Sequence, residues 1–279
     1  MSDLPRRLIA SSITIAIIVC LIVFAFHSIF QYFVAGFVAL LAGIAIWEYE
    51  QFVKAKGGRI ILPALIILSV IEVYSFFLGS AYVWLQSMPL VFFLIAFLVL
   101  FALHFKEQEG AIIDLAVSSF GLLYVAVPMG MVLGILYSQG VDGRWWITYL
   151  LVVTKITDMG AYFAGNLWGK RKLAPNISPK KTIEGAVFGL ICAVMASFLF
   201  HLGSDYAGTF HLGMFEWLFL GLILGAVGQF GDLSESLLKR DANKKDSNAL
   251  PGLGGVLDAL DSILFNAPII YIYLHFMKI

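Results

Sequence analysis

Nine apolar runs, each close to the length of a membrane-crossing helix, take up most of the chain: residues 8–26, 29–47, 60–79, 88–105, 111–137, 145–165, 183–203, 212–230 and 260–276. Crossing a bilayer core takes about 20 apolar residues in a helix. Inside lipid every backbone N–H and C=O must find a partner within the protein, so runs of this length have to be helical. The expected fold class is therefore all-α, a polytopic integral membrane protein with about nine transmembrane helices. Composition agrees: 61% of residues are hydrophobic and 13% charged, where an average soluble domain carries about 25% charged residues. The first run follows Arg6-Arg7 and resembles a signal peptide, but it is too long for an apolar signal core and no small-residue cleavage site follows it, so it reads as a span. The fifth run contains Pro128 and is expected to kink or tilt.

The loop charges give an orientation. With the N-terminus in the cytoplasm and nine spans alternating, Arg6, Arg7, Lys54, Lys56, Arg59, Lys106, Lys170, Arg171, Lys172, Lys180, Lys181, Lys239, Arg240, Lys244 and Lys245 face the cytoplasm. Only Arg144 and Lys278 face the other way, and Lys155 lies within a span. Fifteen against two is a strong positive-inside bias. The N-terminus is thus expected to be cytoplasmic. We divide the chain into N-terminal membrane helices, residues 1–140, and a C-terminal membrane region with polar cytoplasmic loops, residues 141–279. Gly-x-x-x-Gly spacings at Gly130/Gly134, Gly185/Gly189 and Gly221/Gly225 suit close helix packing.

Two polar islands interrupt the apolar sequence on the expected cytoplasmic side. The first runs from Asp232 to Asp261, through Ser236, Lys239, Arg240, Lys244, Lys245, Asp246 and the segment Pro251-Gly252-Leu253-Gly254-Gly255. It is read as a loop between two apolar helices. Asp258 and Asp261, three residues apart, share a helix face. Free backbone N–H groups after Gly254-Gly255 would suit a phosphate. Such oxygen ligands suit Mg2+ bound through one or two carboxylates and substrate phosphates, with Asp232 converging from the preceding span. Lys239, Arg240, Lys244 and Lys245 offer positive charge for a polyphosphate. On spacing alone a plainer account stands beside this one: the aspartates offset the helix dipole and the cations face anionic lipid.

The second island runs from Lys155 and Asp158 through Gly160-Ala-Tyr162 to Ser178-Pro179-Lys180-Lys181-Thr182-Ile-Glu184-Gly185. Lys155 and Asp158 stand one turn apart within a span and can pair, and ionisable groups at that depth point to function. Ser178 or Thr182 is positioned to cap the seventh span. Glu72 and Asp114 are expected to be buried hydrogen-bonding groups, and the five histidines lie at span ends without metal-ligand spacing. Cys20 and Cys192 sit in apolar runs and indicate neither a disulfide nor a nucleophile.

At these residues the chain resembles the phosphatidate cytidylyltransferase (CDP-diacylglycerol synthase) family. Ser236, Lys239, Arg240, Lys245, Asp246, Pro251, Gly252, Gly254, Gly255, Asp258 and Asp261 fall in register with that family's signature, and Asp158 to Tyr162 and Ser178 to Gly185 match its upstream segments. Two positions depart: Leu253 stands where the family has histidine, and Ala259 where it has arginine.

The resemblance implies cytidylyl transfer from CTP to phosphatidate, giving CDP-diacylglycerol and pyrophosphate for phospholipid biosynthesis. It implies Asp232, Asp258 and Asp261 as ligands of one or two cations, Mg2+ first, with Asp246 as a further ligand or a group supporting the ligands from behind. Lys239, Arg240, Lys180 and Lys181 would clamp the triphosphate, and Asp158, Ser178, Thr182, Glu184, Gly254 and Gly255 would complete the nucleotide site. The setting would be the bacterial inner membrane, with the site facing the cytoplasm. No nucleic-acid partner is expected, and a homodimer is one state the sequence allows. The rival readings are a polyprenol kinase type of CTP-using enzyme, a non-catalytic paralogue suggested by Leu253 and Ala259, and a transporter suggested by the Lys155–Asp158 pair.

Overall fold

The structure, a computed structural model, describes residues 3–105, 109–204, 210–244 and 255–278. Among these residues the chain forms α1 (Asp3–Val23), α2 (Phe30–Ala55), α3 (Leu62–Ala81), α4 (Met88–His104), α5 (Ala111–Gly121), α6 (Val127–Leu136), α7 (Gly143–Trp168), α8 (Ile183–Gly203), α9 (Glu216–Asp241) and α10 (Val256–Tyr273). The helical membrane-protein class read from the sequence is what the structure shows, with seven helical segments long and apolar enough to cross a membrane among the described residues. The other two sequence runs fall on α1, whose described apolar stretch is Ser12–Val23, and on α7, which carries Lys155 and Asp158.

Three local features differ from a plain reading of nine helical runs. The run at 111–137 is α5 and α6 joined by a π-helical segment at Leu122–Ala126, directly before Pro128. Proline supplies no N–H and displaces the turn before it, so the helix widens there instead of breaking. A two-stranded antiparallel hairpin, β1 (Lys172–Ala174) and β2 (Ser178–Thr182), precedes α8. The third difference corrects the polar loop expected from Asp232: residues 232–241 continue α9 as helix. Leu, Glu, Lys and Arg are good helix formers, and Glu235 pairs with Lys239 one turn later, so polarity here marks the end of the apolar layer and not the end of the helix.

The chain divides into two compact units, Met1–Tyr137 with Asp241–Ala259, and Ser138–Arg240 with Leu260–Ile279. In the first unit α2 and α3 approach where Gly43 leaves room for Ile66, and α3 meets α6 where Phe76 lies against Gly130. A β-carbon at Gly130 would fall 2.3 Å from the Phe76 ring, so this position requires glycine. Tyr137 donates its hydroxyl to the Ala25 carbonyl at 3.1 Å, and Asp114 accepts the Arg59 N–H at 2.8 Å, a buried polar partnership of the kind expected for it.

In the second unit the helices pack in chain order through small residues. Asp142 caps α7 by accepting the Arg144 N–H at 3.0 Å, and the Arg144 side chain holds the Asp142 carboxyl below the usual carboxylate range. Against α7, a β-carbon at Gly185 of α8 would stand 2.6 Å from the Ala161 carbonyl oxygen, and one at Gly189 would stand 2.9 Å from that of Thr157. On α9, Gly225 faces Ala193 of α8, and Gly231 faces the Asp261 carbonyl of α10. Buried Asn266 ties three helices: its amide donates to Thr154 Oγ1 on α7 at 2.9 Å and to the Leu224 carbonyl on α9 at 3.0 Å. The Tyr149 hydroxyl meets Ser197 Oγ at 2.7 Å, and Ser197 in turn donates to the Trp217 carbonyl at 2.6 Å.

Because a β-carbon at Gly231 would lie 2.7 Å from a backbone oxygen, Gly231→Ala is expected to destabilise the protein by about 1–3 kcal/mol. Gly203→Ala, with open space around it, is the control and should not. Thermal unfolding in mild detergent distinguishes the two.

Candidate active site

Four elements of the second unit each deliver one part of a charged cluster. α7 supplies Lys155 and Asp158, whose Nζ and Oδ2 atoms are 3.7 Å apart. β2 supplies Lys181, the residue before Thr182, which caps α8 by accepting the Gly185 N–H at 3.2 Å. α9 supplies Asp232, paired with Lys181 at 2.6 Å. α10 supplies Asp261, which is 8% exposed. Asp158 experiences the charges of Lys155, Lys181 and Asp232, and Asp261 those of Asp232, Lys155 and Asp158. Three carboxylates and two ammonium groups thus act on one another across residues 155 to 261 of the sequence.

The cluster has the chemistry of a phosphate-handling site. Its acceptors are hard carboxylate oxygens, as Mg2+ prefers. Among the described residues no three His, Cys, Asp or Glu side chains are grouped so as to hold a metal by themselves. An ion held by one or two carboxylates and completed by substrate phosphates fits this arrangement, whereas an all-protein cage does not.

Other residues singled out from the sequence have more structural surroundings. Glu184 accepts the N–H groups of Lys170 and Arg171, each at 3.1 Å, and so braces the turn into β1. Arg240 donates its Nε–H to the Ile177 carbonyl at 3.1 Å, joining the end of α9 to the hairpin. Lys239 pairs with Glu235, a fully buried carboxylate. Lys180 is exposed and Ser178 half-buried on the same strand as Lys181. Asp246, Gly254 and the departure at Leu253 lie outside the described residues. Ala259 is exposed on the first turn of α10.

The start of α10 corrects one expectation. Its backbone N–H groups, read from the sequence as a phosphate cradle, already have carboxylate partners. Val256 and Leu257 donate to Glu48 Oε1 and Oε2 at 2.8 and 2.7 Å. Gly255 donates to Asp258 Oδ2 at 3.2 Å, the return half of a capping box. Sequence reasoning assigned no role to Glu48 or to Glu235. The available signals were a carboxylate directly after the apolar run 29–47 and an acidic residue four positions before Lys239.

With this geometry in view, sequence comparison decides the family. A profile described as "Cytidylyltransferase family" matches residues 6–277. This chain belongs to the cytidylyltransferase family. Within it, the chain is 35% identical to a phosphatidate cytidylyltransferase of Chlamydia pneumoniae over 289 aligned residues, covering 98% of this chain and 92% of that protein. It is 35% identical to a phosphatidate cytidylyltransferase of Bacillus subtilis (strain 168), covering 84% and 86% of the two chains. A third cytidylyltransferase relative, from Staphylococcus haemolyticus, is 38% identical over 66% of each chain.

The Lys181–Asp232 contact is partly exposed, so its own contribution should be modest, about 0.5–1 kcal/mol. A double-mutant cycle of Lys181→Met and Asp232→Asn, followed by denaturant unfolding in detergent, should return a coupling of that size. Strict additivity would refute the pair.

Proposed function

We propose that this protein transfers the cytidylyl group of CTP to phosphatidate, releasing pyrophosphate and forming CDP-diacylglycerol. The observation that carries the reading is the cluster of Asp158, Lys181, Asp232 and Asp261 in a chain of this family. A phosphatidate phosphate oxygen attacks the α-phosphorus of CTP in line. The bond from that phosphorus to the bridging oxygen of the β-phosphate breaks, and the electron pair leaves with pyrophosphate. Both reactants are highly anionic, so the protein's part is to orient them and offset charge.

Asp232 and Asp261 would hold Mg2+ together with substrate phosphates, while Asp258 accepts the Gly255 N–H at the start of the same helix. When bound, the ion would neutralise phosphate charge. Lys181, with Lys180 beside it and Arg240 at the end of α9, would bind the triphosphate. Lys155 offsets Asp158 and Asp261 in the absence of an arginine at position 259. The preponderance of Lys and Arg in the loops on one side supports an arrangement with the N-terminus and the site in the cytoplasm, the protein lying in the bacterial inner membrane. Phosphatidate would then reach the site laterally, its acyl chains staying in the bilayer.

Purified protein in detergent, given CTP, phosphatidate and Mg2+, is expected to yield CDP-diacylglycerol and pyrophosphate. Release of CDP with a phosphorylated lipid would mark a kinase instead, and no turnover would mark a non-catalytic relative. Asp261→Asn should lower kcat by about 100-fold or more while leaving the protein folded, as loss of a charge-stabilising group at the reacting centre does. Full activity in this variant would remove Asp261 from the site. Leu253→His combined with Ala259→Arg should change kcat by less than about 3-fold if other cations already serve in their place.

A further inference from the structure

The N-terminus of a helix exposes unpaired N–H groups and a positive dipole end, and so attracts an anion. At α10 that anion is part of the protein. Glu48, on α2, is 1% exposed and gives one carboxylate oxygen to each of two successive N–H groups, Val256 at 2.8 Å and Leu257 at 2.7 Å. A two-point attachment of this kind fixes both the position and the direction of the first turn, where a single acceptor would fix only distance. That turn carries Asp258, and the next carries Asp261.

The same stretch of α2 also meets the chain before residue 245. Lys56 pairs with Asp241 at 2.8 Å, and the Lys244 ammonium sits 5.9 Å from the centre of the Phe52 ring. The end of α2 therefore contacts the chain on both sides of residues 245–254, with Glu48 as its buried, fully engaged member.

We infer that Glu48 is a positioning residue for cytidylyl transfer: it clamps the start of α10 and thereby sets where the Asp258 and Asp261 carboxylates stand. The inference rests on the proposed reaction. A carboxylate suits the task better than an amide, since glutamine offers one acceptor oxygen and no charge to the dipole.

The test uses the full chain in detergent, comparing wild type with Glu48→Ala and Glu48→Gln. Hydrogen–deuterium exchange over residues 255–262 reads the clamp directly, and exchange in Glu48→Ala should rise by about 10-fold or more as the first turn frays. For the folded fraction, kcat should fall by about 10- to 100-fold, since small misplacements of catalytic groups cost that much. The Mg2+ concentration for half-maximal activity should rise, with Glu48→Gln between Glu48→Ala and wild type. If Glu48→Ala does not accumulate as folded protein, Glu48→Gln is judged by the same measurements. Unchanged exchange would overturn the clamp. Raised exchange with kcat per folded molecule and Mg2+ dependence unchanged would reduce Glu48 to a structural role and overturn the inference. Wild-type protein that makes no CDP-diacylglycerol would sink the proposed reaction, while the exchange comparison would still decide the clamp.

Discussion

Close backbone contact at glycine is the constraint on which the second unit depends. Helices in lipid gain little from burying apolar surface against one another, and they associate through packing and polar contacts instead. Here α7, α8, α9 and α10 meet in succession where Gly185, Gly189, Gly225 and Gly231 have no side chain to hold them apart. A β-carbon at Gly185, Gly189 or Gly231 would stand 2.6, 2.9 or 2.7 Å from a backbone oxygen of the facing helix, so the helices would have to move apart. Asp158, Lys181, Asp232 and Asp261 lie far apart in sequence, and their mutual approach follows from those crossings.

Charge balance is the second condition. A carboxylate in an apolar surrounding is costly unless paired, and the cluster supplies its own counter-charges through Lys155 and Lys181. The same rule explains Glu235, buried completely and matched by Lys239 one turn away. Glu48 follows a different route, taking its partners from the backbone. Each solution keeps a negative group in place, and such preorganised polarity favours chemistry on phosphates.

Much of this was legible in the sequence, for identifiable reasons. Length and hydropathy alone impose helices in lipid, so the membrane-helical class follows directly from runs such as 60–79 and 183–203. Pro128 signalled an irregular fifth helix because a missing N–H always disturbs the turn before it. The Lys155–Asp158 pair was visible because helical spacing is local. The Lys181–Asp232 contact was not, since it depends on how α8 and α9 cross. The strand at Ser178–Thr182 is too short and too polar to show an alternating pattern. The extension of α9 does not show in hydropathy, because polar residues suggest a loop although nothing between Asp232 and Asp241 breaks a helix. Glu48 was passed over because its partners are backbone atoms more than two hundred positions away.

That extension of α9 has a mechanical consequence. A helix of 26 residues is about 39 Å long, against a hydrocarbon layer of about 30 Å. The excess must tilt or leave the apolar layer, and the last ten residues, with Asp232 first and Lys239 and Arg240 toward the tip, are the polar part that suits the headgroup layer. A lipid phosphate lies at that same height without leaving its leaflet. A water-borne nucleotide can come down to it, so the two reactants would meet at the membrane boundary and neither need be carried into the other's solvent.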